Sequence, residues 1–355
     1  MKKLLIHSLR SDYAVYFDTN IQQTLTNLCR KRAIHLLIDR NIWKLYNKHF
    51  FDKRAYRTVR VFEGIEDKKN MQEVTEYIDF LLAKKIKKDH KLVVIGGGIV
   101  QDIGSFTAHI LLRGIDWIYF PTTLLAMSDS CIGSKSGVNV GNYKNQVGVF
   151  HPPTEIYLYL PFLNTLPQSE ILNGYGEIIK HSLIKGGRLF KFISKNIIQI
   201  PKNKKITEEI IYQSLLIKKE IIEKDEFDVK DRKVLNYGHT FGHALEGYTQ
   251  HKISHGIGVL MGMDIANYIS LKMNLLPSIT FSQIHDVIYP FITEVRVKIS
   301  DFNAYMDFLS KDKKIIGDNI FIILARDIGK IEITKTKPDT KLKNNIKEYF
   351  TLYSK

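Results

Sequence analysis

The chain has 355 residues, 44% of them hydrophobic and 25% charged, which excludes a disordered protein and leaves room for two packed domains. Its formal charge of +15 comes from lysines spread along the chain rather than grouped with aromatic residues, so we favour anionic small-molecule ligands over nucleic acid. We find no apolar run of the roughly 18–20 residues a membrane helix needs, no signal-peptide pattern and only two cysteines, too few for a disulfide framework or a cysteine-built zinc site, so we expect a cytoplasmic protein.

The first half of the sequence alternates apolar runs with amphipathic ones. Buried strands are predicted at residues 33–39, 58–64, 91–98 and 115–123. Helices are predicted around residues 70–86 and 101–112. Because strands that alternate with helices form parallel sheets with crossover helices, residues 1–166 predict an α/β domain.

From about Pro167 onward, apolar residues recur every three or four positions, which is helical periodicity. The clearest stretches are residues 170–184, 207–227, 240–249 and 255–274, with a short strand-like piece at 319–333. Residues 167–355 therefore predict a second, mostly α-helical domain.

A glycine-rich turn, "VVIGGGIVQDIGSF", joins a predicted strand to a predicted helix. Glycine allows the backbone to approach a phosphate, and a helix N-terminus offers unpaired N–H groups. The glycines lack the G-x-G-x-x-G spacing, so a dinucleotide site and a simple tight turn both stay open. Asp39, which ends an earlier strand, suits a ribose hydroxyl but is equally an ordinary surface aspartate.

Residues 120–153 are dense in hydroxyls, glycines, lysines and amides. Lys135, Lys144 and Asn145 are suited to phosphates and hydroxyls. A flexible polar loop would not explain embedded apolar residues such as Leu124 and Val138. We therefore favour a ligand-binding segment.

Three histidines in "LNYGHTFGHALE" and "HGIGVLMGM" raise the question of a metal site. His239 and His243 lie four apart, which places them on one helical face, and His255 follows twelve residues later. Glu177 and Lys180 lie three apart on another predicted helix, where such pairs are usually surface support. Spacing alone does not decide between ligands, bases and ordinary polar residues.

Taken together, these segments resemble the dehydroquinate synthase family, the sugar phosphate cyclases. The similarity runs from roughly Asp39 to Lys330. It rests on motifs in the family's order: "GGGIVQDIGSF", "RGIDWIYFPTTLLAMSDSCIGSKSGVN", "YKNQVGVFHPP", "GYGEIIKHSLI", "DVKDRKVLNYGHTFGHALE" and "HGIGVLMGM". The resemblance implies a Rossmann-like NAD-binding domain over residues 1–166 and a helical metal- and substrate-binding domain over 167–355.

The resemblance also implies the site residues. The divalent metal, usually zinc and in some cases cobalt, would be held by Glu177, His239 and His255. Contacts to NAD would come from Asp39, Glu66, Lys69, Gly97, Gly98, Asp102, Thr122, Thr123, Asp129, Lys144 and Thr165, with Asp129 and Lys144 also bordering the substrate. Substrate would be held by Lys135, Asn145, Lys180, Lys218, Arg232, Asn236, His243 and Lys313. Arg113 matches an arginine lent to the neighbouring subunit, which implies a homodimer.

The family's reaction turns 3-deoxy-D-arabino-heptulosonate 7-phosphate into 3-dehydroquinate and phosphate, a step of the shikimate pathway. It proceeds by NAD-dependent oxidation, phosphate elimination, reduction and aldol closure. Lys218, Arg232 and His243 favour this carboxylated substrate. The alternatives are a 2-epi-5-epi-valiolone or 2-deoxy-scyllo-inosose synthase, and a catalytically inactive member with a binding role.

Several positions depart from the family's usual pattern. Ile257 stands where glutamate is usual, Met127 where glutamine is usual and Ser134 where a second glycine is usual. One extra residue precedes Glu66. These changes bear on the substrate more than on the family.

Overall fold

The computed structural model describes residues 2–17, 20–50, 55–141, 143–250, 252–293, 295, 297–310, 315–316 and 319–353. The chain folds as two compact units. The first comprises Met1–Leu166 and Ile211–Phe227, and the second comprises Pro167–Ile210 and Asp228–Lys355. The predicted fold class, an α/β part followed by a mostly helical part, is confirmed.

Strands form the centre of the first unit. They are β1 (Lys3–Ile6), β2 (Tyr13–Tyr16), β3 (Ile34–Asp39), β4 (Thr58–Phe62), β5 (Lys91–Gly96), β6 (Trp117–Pro121), β7 (Lys135–Val140), β8 (Tyr143–Phe150) and β9 (Glu155–Tyr157). Seven of them form one sheet in the order β1-β2-β9-β6-β5-β3-β4, while β7 and β8 form a separate antiparallel ribbon. The β1–β2 pairing is antiparallel, and the other pairings in the sheet are parallel. Parallel strands bring the carboxyl ends of β3, β5 and β6 to the same edge, where α/β sheets bind ligands.

Continuous apolar runs explain the central strands. β3 and β5 are buried along almost their whole length without alternation, as expected for parallel strands covered on both faces. The helices that begin in this unit are α1 (Ile21–Lys31), α2 (Arg40–Phe50), α3 (Met71–Ala83) and α4 (Gly98–Ile110). Asn70 fixes the start of α3, because its side chain accepts a hydrogen bond from the N–H of Glu73 at 3.0 Å.

Helix α7 (Lys204–Ile222) accounts for a difference from the predicted domain boundary. The sequence pattern places residues 167–355 in one domain, whereas residues 211–227 pack with the first unit. The Tyr212 ring lies edge-on to Phe17 with 5.5 Å between centroids, and the Ser214 hydroxyl donates to the Ser128 carbonyl at 2.9 Å. Helical periodicity shows which residues are apolar but not which surface they contact, so it could not assign this segment.

The second unit is built on helices. They are α5 (Gln168–Lys185), α6 (Gly187–Asn196), α8 (His239–Tyr248), α9 (His255–Lys272), α10 (Ser278–Ile292), α11 (Phe302–Ser310) and α12 (Thr340–Tyr353). A small antiparallel sheet contains β10 (Ile315–Ile316), β11 (Asn319–Asp327) and β12 (Lys330–Thr336). Every residue of α9 from Gly256 to Ser270 is buried, as expected for a central helix that is apolar on all sides.

In the described part of the chain, no helix combines the length and the apolar character that crossing a membrane requires.

Candidate active site

Three helices of the second unit bring one carboxylate and two imidazoles together. Glu177 lies on α5, while His239 and His255 are the first residues of α8 and α9. The Oε1 atom of Glu177 lies 3.6 Å from Nε2 of His239 and 3.4 Å from Nε2 of His255. One donor atom from each of the three side chains falls within 4.8 Å of the others. A single ion could therefore contact all three side chains.

Glycine makes this convergence possible, because α5 and α9 touch through their backbones. A Cβ on Gly176 would lie 2.6 Å from the Cα of Gly256, and a Cβ on Gly256 would collide with the Asn173 carbonyl. The Asn173 side chain also accepts a hydrogen bond from the N–H of Gly256 at 2.5 Å. Gly176 precedes Glu177 and Gly256 follows His255, so the close approach of the backbones also brings these two side chains together.

Neighbouring oxygens orient both imidazoles. Oε1 of Glu246 lies 3.0 Å from Nδ1 of His255, and the carbonyl of Tyr237 lies 3.3 Å from Nδ1 of His239. An acceptor at Nδ1 favours a proton on that nitrogen and leaves Nε2 to face a metal. Both rings are thus directed with Nε2 towards Glu177.

Burial and charge set the protonation of the cluster. Glu177 is 2% exposed, and the Lys180 ammonium contacts its carboxylate. Burial, reinforced by the Lys180 charge, holds the pKa of His239 well below its usual range. Burial also disfavours the charged form of His255, but hydrogen bonds to Glu177 and Glu246 and their charges outweigh it and raise its pKa to about 10.

This donor set fits a divalent cation. One carboxylate and two imidazoles are three protein ligands of the kind that catalytic zinc uses, with positions left for other oxygens. A second grouping in the same unit, His243, Glu246 and His255, also places its donor atoms within 4.8 Å. We favour the grouping that contains Glu177, because its carboxylate is almost fully buried beside the two imidazoles, whereas His243 is exposed.

The predicted substrate residues of the second unit surround or precede the cluster. The His243 ring lies 5.2 Å from the His239 ring and 5.8 Å from the His255 ring, measured between centroids. Arg232, which is buried, and Asn236 lie on the 3₁₀ helix Asp231–Asn236 that leads into α8. Lys313 lies outside the described residues.

In the first unit, five of the predicted nucleotide residues lie at the carboxyl edge of the sheet. Gly97 caps α4 and Gly98 begins it, so the N–H groups of this first turn lie at the end of β5. A Cβ on Gly97 would lie 2.9 Å from the Cγ2 atom of Thr123, which follows β6 together with Thr122. Asp39 ends the adjacent β3, and its carboxylate accepts a hydrogen bond from the N–H of Asn41 at 2.7 Å. The arrangement is that of a helix N-terminus suited to a phosphate beside an acid suited to a hydroxyl.

A second group of predicted nucleotide residues forms a charged network. The buried ammonium of Lys69 donates to Asp102 at 3.1 Å, and Oε1 of Glu66 lies 3.8 Å from the ammonium groups of both Lys69 and Lys144. Asn139 adds an amide hydrogen bond to Glu66 at 2.9 Å. Burial raises the pKa of Asp102 to about 6, and the Lys69 charge opposes that rise.

The remaining predicted residues of the first unit lie in four places. The Lys218 ammonium contacts Oδ1 of Asp129 at 2.9 Å, which joins α7 to the segment after β6. Lys135 and Asn145 are exposed on the β7–β8 ribbon, and the Thr165 hydroxyl lies 3.0 Å from that of Tyr46. Arg113 is exposed beyond the far end of α4, roughly 20 Å from Gly98 for a helix of this length. The structure therefore does not bring Arg113 to the nucleotide group of its own chain.

Comparison with known proteins places the chain in a family. The family models described as 3-dehydroquinate synthase N-terminal and C-terminal match residues 59–173 and 174–315. A 3-dehydroquinate synthase of Pelagibacter ubique (strain HTCC1062) is 35% identical over 92% of this chain and 93% of its own length. This chain belongs to the 3-dehydroquinate synthase family. Another relative, the 3-dehydroquinate synthase of Alkaliphilus metalliredigens (strain QYMF), is 34% identical over 96% of this chain and 97% of its own.

Solved structures share the fold. A 2-deoxy-scyllo-inosose synthase complexed with carbaglucose-6-phosphate, NAD⁺ and Co²⁺ has a TM-score of 0.86, with 24% identity over 98% of this chain and 100% of that one. A 2-epi-5-epi-valiolone synthase from Streptomyces hygroscopicus subsp. jinggangensis 5008, with NAD⁺ and Zn²⁺ bound, has a TM-score of 0.84, with 21% identity over 98% of each chain. At such identities the likeness concerns the fold.

Three of the departures from the 3-dehydroquinate synthase pattern lie in buried positions, whereas the extra residue before Glu66 falls in a segment that is partly exposed. Ile257 is 2% exposed within α9, and Met127 is fully buried in the short π-helix Ala126–Ser130 that follows β6. Ser134 adopts φ +65°, a conformation that glycine tolerates better, and its hydroxyl donates to Glu226 at 3.1 Å. Sequence reasoning did not identify Glu246, Asn139 or Glu226, whose hydrogen-bond partners lie on other elements.

Proposed function

We propose that this member of the 3-dehydroquinate synthase family is a metal- and NAD-dependent cyclase. It would convert 3-deoxy-D-arabino-heptulosonate 7-phosphate to 3-dehydroquinate and phosphate, as a carbon–oxygen lyase of the shikimate pathway. The observation that carries the proposal is the convergence of Glu177, His239 and His255. It is supported by relatives named 3-dehydroquinate synthase that match this chain over nearly their full length.

The metal would be held by Glu177, His239 and His255, with zinc as the first candidate and cobalt as the second. Both ions occur in the solved relatives. When bound, such an ion supplies polarisation of a substrate hydroxyl or carbonyl. Lys180 and Glu246 would hold the ligands in place, because the first contacts the Glu177 carboxylate and the second contacts His255.

NAD would be held by the first unit. Its phosphates would lie against the Gly97–Gly98 turn and the start of α4, and Asp39 would accept from a ribose hydroxyl. The remaining proposed contacts are Glu66, Lys69, Asp102, Thr122, Thr123, Asp129, Lys144 and Thr165. When bound, NAD supplies reversible removal and return of a hydride.

The substrate carboxylate distinguishes this reaction from those of the uncarboxylated sugar phosphates. We assign it to Lys218 and Arg232, because a buried guanidinium can hold a carboxylate through two parallel hydrogen bonds. Asp129 would keep the Lys218 ammonium in position through their 2.9 Å contact.

The substrate phosphate would be held by cationic and amide groups until it leaves, and its own oxygen is the proposed acceptor of the ring proton. Those groups are Lys135, Lys144, Asn145, Lys180, Asn236, His243 and Lys313. Arg113, exposed beyond α4, would serve the phosphate site of a second copy in a cytoplasmic homodimer.

A substrate panel tests the proposal. The purified protein would be incubated with NAD and either Zn²⁺ or Co²⁺, and phosphate release would be measured from the keto-acid phosphate, from sedoheptulose 7-phosphate and from glucose 6-phosphate. We expect release from the keto-acid phosphate. Preferential release from either of the other two would identify one of the sister cyclases, and no release despite bound NAD and metal would indicate a binding role.

A further inference from the structure

A buried carboxylate outside the proposed catalytic set ties three segments of the first unit together. Glu226 lies in the turn after α7 and is 7% exposed. It accepts hydrogen bonds from the Ser8 hydroxyl at 2.7 Å, the Leu9 N–H at 2.7 Å and the Ser134 hydroxyl at 3.1 Å. The carboxylate therefore joins the loop after β1 to the segment before β7.

Ser134 is the unusual partner. Its φ of +65° is in the left-handed region, which costs a residue other than glycine about 1–2 kcal/mol and persists where the surroundings impose it. The surroundings here are close: the N–H of Gly133 donates to the Tyr13 hydroxyl at 2.9 Å, and the Ser134 carbonyl accepts from the N–H of His151 at 2.7 Å. With Glu226 on the hydroxyl, this turn is fixed from three directions.

The turn controls where β7 begins. Lys135 follows Ser134 directly and is the first residue of β7. Its side chain is exposed, with Nζ 5.8 Å from the Phe150 ring centroid, so burial does not fix it. The backbone at Ser134 therefore sets the position from which this side chain extends.

Helix α7 also holds the residues that precede Ser134 through hydrogen bonds. The Ser214 hydroxyl donates to the Ser128 carbonyl at 2.9 Å, and the Lys218 ammonium donates to the Asp129 carbonyl at 2.8 Å. Glu226 thus adds to the contacts that Ser214 and Lys218 make with the segment that leads to Lys135.

We propose that Glu226 is a positioning residue, which acts through Ser134 to fix the backbone from which Lys135 reaches the substrate phosphate. The role of Lys135 towards the phosphate rests on the proposed function. The effect of Glu226 on the backbone at Ser134, which is the structural half of the inference, does not. The departure from glycine at position 134 supports it, because the serine hydroxyl provides a contact that glycine lacks.

Hydrogen exchange tests the structural half without any substrate. Glu226→Gln keeps the volume but replaces an accepting oxygen with an NH₂ group. The matched control is Glu223→Gln, since Glu223 accepts from the N–H of His7 at 2.7 Å and thus touches the same loop without touching Ser134. We expect faster amide exchange in peptides covering residues 128–137 for Glu226→Gln, and exchange at the wild-type rate there for Glu223→Gln.

Kinetics with a rescue variant test the other half. Glu226→Gln should lower kcat/KM by about tenfold, less than the hundredfold that about 1 Å of misplacement can cost. Adding Ser134→Gly should restore most of the loss, because glycine adopts the left-handed conformation without support. Adding Ser134→Ala should restore none of it, because alanine keeps the strain and lacks the hydroxyl.

Each outcome decides one question. Exchange that changes only in residues 7–12, or equal kinetic effects of Ser134→Gly and Ser134→Ala, would overturn the positioning role. Should Glu226→Gln fail to fold, Ser134→Ala alone removes the same hydrogen bond and must raise exchange in residues 128–137. Absence of phosphate release by the wild-type protein with every substrate overturns the proposed function instead, and leaves the exchange result standing.

Discussion

Nδ1 of His255 lies 3.0 Å from a carboxylate oxygen of Glu246, and Nε2 of the same ring lies 3.4 Å from Glu177. The imidazole is held between two carboxylates, one that orients it and one that would share its metal. Partners of this orienting kind typically change metal affinity by about 10–100-fold when replaced. We therefore expect Glu246→Gln to weaken zinc binding by about that factor, measured by competition with a chromogenic chelator. Unchanged affinity in a folded variant would contradict the orienting role.

The ligand assignment can be tested by a pair of neighbouring histidines. His239→Ala should abolish retention of metal through dialysis, because it removes one of three proposed ligands, whereas His243→Ala should retain it. Metal content would be measured by atomic emission on the purified proteins. The reverse pattern would support the second grouping, His243 with Glu246 and His255.

Arg232 should determine the preference for a carboxylated substrate. Arg232→Gln is expected to lower kcat/KM for the keto-acid phosphate roughly ten- to hundredfold, because it removes a charge-assisted hydrogen bond worth about 1.5–3 kcal/mol. The adjacent Lys233 is exposed, so Lys233→Gln is the control and should leave the rate unchanged. Equal effects of the two substitutions would argue against a carboxylate site at Arg232.

The backbone contact between α5 and α9 should be required for metal binding. Gly176→Ala places a Cβ 2.6 Å from the Cα of Gly256, so we expect a loss of about 1–3 kcal/mol in the free energy of unfolding together with weaker metal retention. Gly187→Ala is the control: it has a left-handed φ of +61° but nothing within 4 Å of its Cβ. That control should cost about 1–2 kcal/mol through backbone strain alone and leave the metal bound. Full metal retention by Gly176→Ala would show that the helices can separate without disturbing the ligands.

His35 should make the stability of the first unit depend on pH. It is fully buried between the Thr58 hydroxyl and Nδ1 of His90, each 2.9 Å away. Burial, with the charges of His90 and Arg57, lowers its pKa to about 4, against about 6.5 in an unfolded chain. The unfolded state therefore binds the proton first, so stability is lost as pH falls from about 6.5 towards 4.

His35→Leu removes this titration. The urea midpoint of the variant should fall less steeply than that of the wild type between pH 7 and 4.5, even if its midpoint at pH 7 is lower. An equally steep fall in the variant would assign the acid sensitivity to other groups.

The sequence predicted the parts of the fold that depend on long apolar runs. The strands β3 to β6 and the helical second half follow from such runs, and their positions are confirmed within a few residues. Strands β1, β2 and β9 have only three or four residues, too few for a periodic signal. The β7–β8 ribbon is largely exposed and depends on pairing between its two strands rather than on a buried face, so no run of apolar residues marks it in the sequence.

The candidate site divides in the same way. Glu177, His239 and His255 were identified from the order of motifs, and the structure shows that their side chains meet. Glu246 is an ordinary helical glutamate in the sequence, and the signal that could have found it was its place one turn beyond His243 in a histidine-rich helix. Asn139 and Glu226 gave no local signal, because their partners lie 73 and 92 or more residues away.

The return of the chain to the first unit at residues 211–227 has a consequence for how the protein is made. A ribosome that has released residues 1–166 has not yet synthesised Ser214, Lys218 or Glu226, so the segment from Ser128 to Ser134 lacks the contacts they supply. Folding of that segment to its final form must await translation past residue 227. A recombinant fragment that stops at Leu166 would carry the same defect permanently, and it would be a poor choice for testing the proposed nucleotide binding.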